Sequence, residues 1–298
     1  MRTRLCNLLG IEHPIVQAPI TADPTLAVAV AGAGALGSVQ ATWTDDVAAL
    51  VARVRVHAVA VNFVLEWPMA DRLDQALEAG ARVVWFFWGD AATLTARAKR
   101  AGATVLVTVA SAEEGKAAEA AGADVLVAQG WEAGGHVWGD VATSVLVPAV
   151  VDAVSVPVAA AGGIADGRGI AAALALGAEG VVLGTRFVAS DEMPSYYKDR
   201  IVAAHETDAI HTRVFSAGWP SPHRVLRNEA LDAGVERPAP TPRSVDELET
   251  AALYAGQSAG LIHDVKPAAE IVRDLVAETQ AQIARLLGEE RSSTSSQP

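Results

Sequence analysis

A single cysteine, Cys6, is all the thiol chemistry in 298 residues. One thiol forms no internal disulfide and no cysteine-rich metal site, and its place beside the N-terminus does not suggest a nucleophile. Basic residues are also scarce, with 23 Lys and Arg against 35 Asp and Glu and a formal charge of −12. A field of that sign repels polyanions, so nucleic acid is an excluded partner, although a local amide-lined phosphate site is not. No uninterrupted apolar run reaches the ~20 residues that span a bilayer. The start, MRTRLCNLLGIEHPIV, lacks the apolar stretch and small-residue cleavage site of a signal peptide. A cytoplasmic protein without membrane association is expected. HExxH, clustered cysteines and paired-carboxylate spacings are missing as well, so no catalytic metal is expected.

The chain is rich in Ala, Val and Gly, 51% hydrophobic overall, and long enough to bury a substantial core. One phrase recurs: an Ala-rich helical stretch, then Gly-Ala, then a short β-branched run. It stands at Gly34-Ala35, Gly80-Ala81, Gly102-Ala103, Gly122-Ala123 and Gly177-Ala178. Such a step reads as a helix ended by a left-handed Gly, followed by entry into a strand. Runs such as VVWFF and VLVTV are apolar on both faces, the mark of a parallel sheet covered by helices. Strands are expected at 15–19, 36–40, 58–63, 83–87, 104–109, 125–129, 156–160 and 180–183, with helix caps at Asp23-Pro24, Thr44 to Asp46, Asp90, and Ser111 with Glu114.

Eight evenly spaced units predict an α/β fold, a closed (β/α)8 TIM barrel. Residues 1–190 and 243–290 are assigned to the barrel. Residues 191–242, where the rhythm breaks, form a small, mainly helical or irregular lid inserted after strand eight. Pro267 to Leu287 reads as an amphipathic closing helix with Ile271, Leu275, Ile283 and Leu286 on one side, and 291–298 as a disordered tail.

Gly32-Ala33-Gly34-Ala35-Leu36-Gly37 matches the dinucleotide fingerprint, yet a helix precedes it and a strand follows, the reverse of what that mechanism needs. In a barrel, chemistry belongs at the C-terminal ends of the strands. Those ends deliver Ala18 and Pro19, Asn62, Gln129, then Ala161-Gly162-Gly163 and Gly184-Thr185. The last two loops carry small residues at helix starts, where free amides and the helix dipole bind phosphate; tight turning alone is the plainer alternative. After Gln129 runs a long loop with Gly134, Gly135 and His136. A neutral imidazole there can take a proton from carbon or bond an oxyanion. The other six histidines lack such a context and are read as structural or surface. Seven of the aromatics are Trp. Trp67, Trp88, Trp131 and Trp138 follow strand ends and either line an active-site mouth or seal the barrel against the lid.

GADVLVAQGWEAGGHVWG, AAGGIADGRGIAAALALGAEGVVLGTRF and YAGQSAGLI resemble the nitronate monooxygenase family, and IVQAPI and VNF fit as well. The same motifs are similar in flavin-dependent enoyl-ACP reductases and some quinone reductases. The resemblance implies a TIM barrel with non-covalent flavin mononucleotide (FMN). Asn62, Gln129, Gly134, Gly162 and the stretch Val182, Leu183, Gly184, Thr185 would contact it, with the Ala161–Gly163 and Gly184–Thr185 amides on its phosphate. His136 would be the catalytic base. Val182 departs from the family, which often carries Gln there. The reaction implied is oxidation of alkyl nitronates, or the parent nitroalkanes, by O2 to carbonyl compounds and nitrite. Two alternatives stay open: an NAD(P)H-dependent reductase of enoyl thioesters or quinones, and a non-catalytic barrel that binds a phosphorylated ligand. Homo-oligomerisation is also open.

Overall fold

The recurrent Gly-Ala step carries out its expected geometry in the computed structural model, which describes residues 1–288. Gly34, Gly80, Gly102, Gly122 and Gly177 have φ between +81° and +100°, a region closed to most side chains and free to glycine. Each following Ala returns its N–H to a carbonyl five residues back, as in Ala81 to Ala76 at 2.9 Å and Ala123 to Ala118 at 3.0 Å. This is the Schellman way of ending a helix. It satisfies late carbonyls and turns the chain directly into the next strand.

The barrel strands are β1 (Ile15–Gln17), β2 (Gly37–Gln40), β3 (Val59–Val64), β4 (Val83–Phe87), β5 (Thr104–Val109) and β6 (Val125–Gln129). A two-residue strand, β7 (Gly135–His136), stands outside the barrel, which resumes with β8 (Val158–Ala161) and β9 (Gly180–Leu183). All eight barrel strands are parallel, in the order β1-β9-β8-β6-β5-β4-β3-β2. The two ends of that row meet. Leu36 donates to Ile15 O and Gln17 donates to Leu36 O, both at 2.9 Å, so the sheet closes on itself.

Alternation along each strand divides the core in two. Val16, Leu36, Ala60, Trp85, Leu106 and Val127 fill the interior, together with Leu5, Cys6, Leu9 and Ile11 from the N-terminal segment. The helix Arg4–Leu9 thus stops one end of the barrel, and buried Cys6 is part of the stopper. Val39, Phe63, Val84, Phe86, Leu126 and Leu183 face outward beneath the helices. The expected strands hold to within two residues. Pro19 and Pro157 lie just outside their strands, consistent with a residue that has no N–H for the ladder.

The helix Ala268–Leu286 packs on the helices Gly167–Ala175 and Pro24–Gly32. Ile271 and Leu275 are buried in that contact, but the expected face is too long: Ile283 is half-buried and Leu286 is exposed. The helix runs past the surface that could cover those side chains. Residues 191–242, a lid only in their place along the cavity at the open end of the barrel, hold the helix Ser195–Val202 and also an antiparallel hairpin absent from the sequence reading, β10 (Ala209–Thr212) and β11 (His223–Leu226). Their apolar packing continues beyond Pro242 to Leu248, Leu253 and Ile262. Residues 291–298, expected to be a disordered tail, lie outside the described residues. Among the described residues, no helix is long and apolar enough to cross a membrane.

Gly37 begins β2 against the helix Pro24–Gly32, and a Cβ on it would sit 2.2 Å from the Ala27 carbonyl oxygen. Gly37→Ala should therefore cost about 1–3 kcal/mol through forced backbone movement. Urea unfolding followed by circular dichroism reads this as a lowered midpoint.

Candidate active site

The unstoppered end of the barrel opens into a cavity of about 960 Å³, at the large end of the range for small-molecule sites. The strand ends set its floor. Gln40 and Asn62 lie side by side in register, and Asn62 donates to Trp85 O at 3.1 Å. The Trp85 indole in turn donates to Thr108 Oγ1 at 2.8 Å. On the other side of the mouth the floor is small and apolar, formed by Ala18, Pro19, Ala161 and Val182. Gly162, Gly163, Gly184 and Thr185 line the adjoining edge. Their four amides have no backbone acceptor among the described residues. Gly162 and Gly163 have φ of 105° and 72°, which turns successive N–H groups in a way a side chain would resist. Leu183 is the exception among the sequence-derived site residues. The two-residue period that faces Val182 inward sends Leu183 outward into the packing beneath the helices.

Gly134 and Gly135 differ in what requires them. A Cβ on Gly134 would be 2.4 Å from Gly256 N, so the loop after β6 and the Tyr254-Ala255-Gly256 segment pack backbone to backbone. Gly135 has open space around it and a φ of 75°. Gly256 also donates to Thr185 Oγ1 at 2.9 Å. Gln129 holds the next stretch. Its Oε1 accepts from Trp138 N at 2.9 Å and its Nε2 donates to His136 O at 3.1 Å. The Gln129 side chain lines the cavity and clamps the backbone on both sides of Val137.

β7 pairs antiparallel with β11, so His136 lies directly opposite His223. The imidazoles are 4.3 Å apart by ring centroid, and the Trp219 indole stacks on His136 at 3.7 Å. Tyr254 completes the enclosure at 5.4 Å from His136. Burial among these rings pushes His136 well below its ordinary pKa, and the His223 charge adds to the effect. His223 falls to about 4, first through burial and then through His211. His211 is itself lowered by burial and by Arg224 and Arg213. Both facing imidazoles are therefore neutral at pH 7, able to accept a proton at one nitrogen and donate from the other. His223 Nε2 lies 3.2 Å from Ser221 Oγ. His223 Nδ1 and the Trp219 indole nitrogen are buried without a partner among the described residues.

Sequence reading missed His223, Trp219, Tyr254 and Arg224. A signal existed: the β-prone runs AIHTRVF and HRVL flank the Gly218-Trp219-Pro220 turn, the pattern of a hairpin. Arg224 is almost fully buried, donates to Trp131 O at 2.9 Å and Ala209 O at 3.1 Å, and lies over the Trp131 ring. Both roles weighed for the tryptophans occur, on different residues. Trp67 lines the cavity, whereas Trp131 anchors the lid and Trp88 and Trp138 pack edge-to-face at 4.5 Å. Trp88 has a φ of 66°, a costly backbone for a bulky side chain, and its indole also meets Trp219.

The profile of one family, described as nitronate monooxygenase, matches residues 45–245. A 5-hydroxy-7a-methyl-1-oxo-octahydro-1H-indene-4-carboxyl-CoA dehydrogenase of Mycobacterium tuberculosis is 41% identical over 246 residues, 78% of this chain and 68% of the relative. Among solved structures, FabK of Thermotoga maritima superposes with a TM-score of 0.86 at 37% identity, covering 97% of this chain and all of the other. A nitroalkane oxidase of Streptomyces ansochromogenes does so at 0.82 and 32% identity, covering 95% and 99%.

The buried histidines set a pH dependence of stability. As pH falls below about 6.5 the unfolded chain takes up protons that the folded His223 refuses until about 4, so unfolding becomes easier across that window. The His223 contribution is roughly 3 kcal/mol when the window is fully crossed. Urea midpoints should drop between pH 7 and pH 5, and His223→Gln should flatten that drop.

Proposed function

The chain belongs to the nitronate monooxygenase family and is an oxidoreductase; on that premise we propose that it binds FMN at the barrel mouth and oxidises alkyl nitronates, or the parent nitroalkanes, with O2 to carbonyl compounds and nitrite. The observation that carries this reading is one imidazole, neutral and facing the same cavity as four unengaged backbone amides.

The residues present suit a flavin nucleotide. Among the described residues no Lys or Arg lines the cavity, so its phosphate would rest on the Gly162, Gly163, Gly184 and Thr185 amides, an arrangement that glycine-rich helix starts support. Ala18, Pro19, Ala161 and Val182 offer a small apolar floor to a flat ring, and Asn62 adds an amide to its edge. The bound flavin would supply the electron acceptor and the centre that reacts with O2. What this chain supplies is position and proton management. His136 accepts the proton from the carbon bearing a nitro group, or hydrogen-bonds a nitronate oxygen. Gln129 fixes the backbone that leaves that histidine, at His136 O and Trp138 N. Trp219 and Tyr254 keep water from the imidazole. Among the described residues no group of His, Cys, Asp and Glu is suited to a metal ion, and no residue role here needs one.

A second reading is favoured by the 41% identity to a CoA-thioester dehydrogenase: a flavin enzyme exchanging electrons between a nicotinamide and a thioester or quinone. The two separate without oxygen. Under the first, a nitronate added anaerobically bleaches the flavin bands and NAD(P)H is not needed; rapid bleaching by NAD(P)H alone would replace it with the second. His136→Asn should lower kcat/KM for a neutral nitroalkane by about 10²–10⁴-fold. A preformed nitronate, which needs no deprotonation, should lose less, as steady-state nitrite release would read.

A further inference from the structure

The cavity has two unlike halves. Unengaged amides and small residues line one edge, where the proposed cofactor phosphate rests. The opposite half is built of indoles. Trp43 and Trp67 meet edge-to-face at 5.6 Å, Trp67 and Trp219 likewise at 5.2 Å, and Trp43 and Trp219 are tilted at 54° with centroids 6.2 Å apart. All three line the cavity. Trp43 is 56% exposed at this mouth, a large apolar surface left in water by the rest of the chain. The three come from separate parts of the sequence, the loops after β2 and β3 and the lid, and converge only in the fold.

The only ionic side chains that line the cavity among the described residues, apart from the histidines, are Asp23 and Glu192. Both are engaged at helix starts: Asp23 accepts from Thr25 N at 2.8 Å and Glu192 from Ala268 N at 3.0 Å. Each carboxylate already accepts a backbone N–H, and among the described residues no Lys or Arg lines the cavity to meet an anion. An anionic ligand in the indole-lined half would be desolvated away from the free amides of the other edge and without a counter-ion, which costs heavily. Flat neutral rings lose nothing of the kind and gain offset and edge contacts with indoles.

We propose that the indole-lined half selects an uncharged substrate bearing a flat aromatic or fused-ring body, held by Trp43, Trp67 and Trp219 with its reacting carbon turned inward to His136. This inference deepens the reading above and rests on it for the reacting group, taking the parent nitro compound of that reading as the substrate. The C–H bond beside the nitro group then breaks on His136. Its proton goes to an imidazole nitrogen and its electron pair stays on the nitro group, so the imidazolium and the nitronate form together as a pair. The specificity-determining residues are Trp67 and Trp219, and small nitroalkanes leave most of this half unfilled.

Isothermal titration of the flavin-loaded protein with unreactive probes tests the selection separately from the chemistry. 2-Phenylethanol should bind at least about tenfold more tightly than phenylacetate, which has the same ring with a charge, and more tightly than 1-propanol, which has no ring. Trp67→Ala and Trp219→Ala should each erode the preference for the ring, and Trp219→Phe should retain most of it. Equal affinity for phenylethanol and phenylacetate, or a ring preference untouched in both alanine variants, would overturn the proposal. Should a variant fail to fold, the three probes on the unaltered chain still decide it. Nitrite release from nitroethane and from 2-phenylnitroethane reads the chemistry. Ring-selective binding without nitrite from either would remove the nitro reading and leave the aromatic selection standing, whereas turnover of both at equal kcat/KM would sink the selection alone.

Discussion

A two-residue ladder between the barrel loop and the lid holds the site together. Gly135 and His136 pair with Arg224 and His223, and the facing imidazoles are positioned from that contact. Without it His136 would ride on a long glycine-rich loop whose freedom would blur any proton transfer. The pairing is fastened from three directions. Gln129 reaches up from the barrel, Gly134 seats the loop against Ala255 and Gly256, and Arg224 ties the lid hairpin to the Trp131 carbonyl. The ladder also covers an edge of the lid hairpin that would otherwise be open for pairing.

Strand alternation explains why the chemistry is confined to one end. Inward residues fill the barrel with apolar atoms, and the N-terminal helix stops one mouth with Leu5, Cys6 and Leu9. Polar inward residues occur where strands end, at Gln40, Asn62, Thr108 and Gln129. There, amides and hydroxyls find backbone partners or an adjoining cavity and escape the penalty of a dry interior. The same division places Val182 in the cavity and its neighbour Leu183 under the helices.

Electrostatic character at this mouth comes from dipoles more than from charges. Burial leaves the histidines neutral, the two carboxylates are taken up by helix starts, and anions are offered only amide N–H groups. Such a site handles charge that appears during a reaction differently from charge carried in by a ligand. A proton moved to His136 creates its own counter-ion at contact distance, while an ion arriving from water has none. Apart from Asp23 and Glu192, the acidic residues among those described lie outside this cavity and act at longer range.

Local chemistry was enough to read the barrel. Five Gly-Ala steps, each forced into a left-handed turn, announce helix ends, and β-branched runs apolar on both faces announce parallel strands, because both signals act within a few residues of chain. The same locality made the glycine-rich strand ends and His136 visible, and it rejected the dinucleotide fingerprint by the order of its elements. Tertiary structure alone decided what faces His136. His223, Trp219 and Tyr254 come from 80 to 120 residues further along, and only the lid's return across the mouth brings them there. It likewise decided that Gln129 clamps a loop and that Trp67 lines a cavity while Trp131 anchors the lid. A side chain's role depends on the partners it meets, and those partners are set by packing between segments that carry no information about one another in sequence.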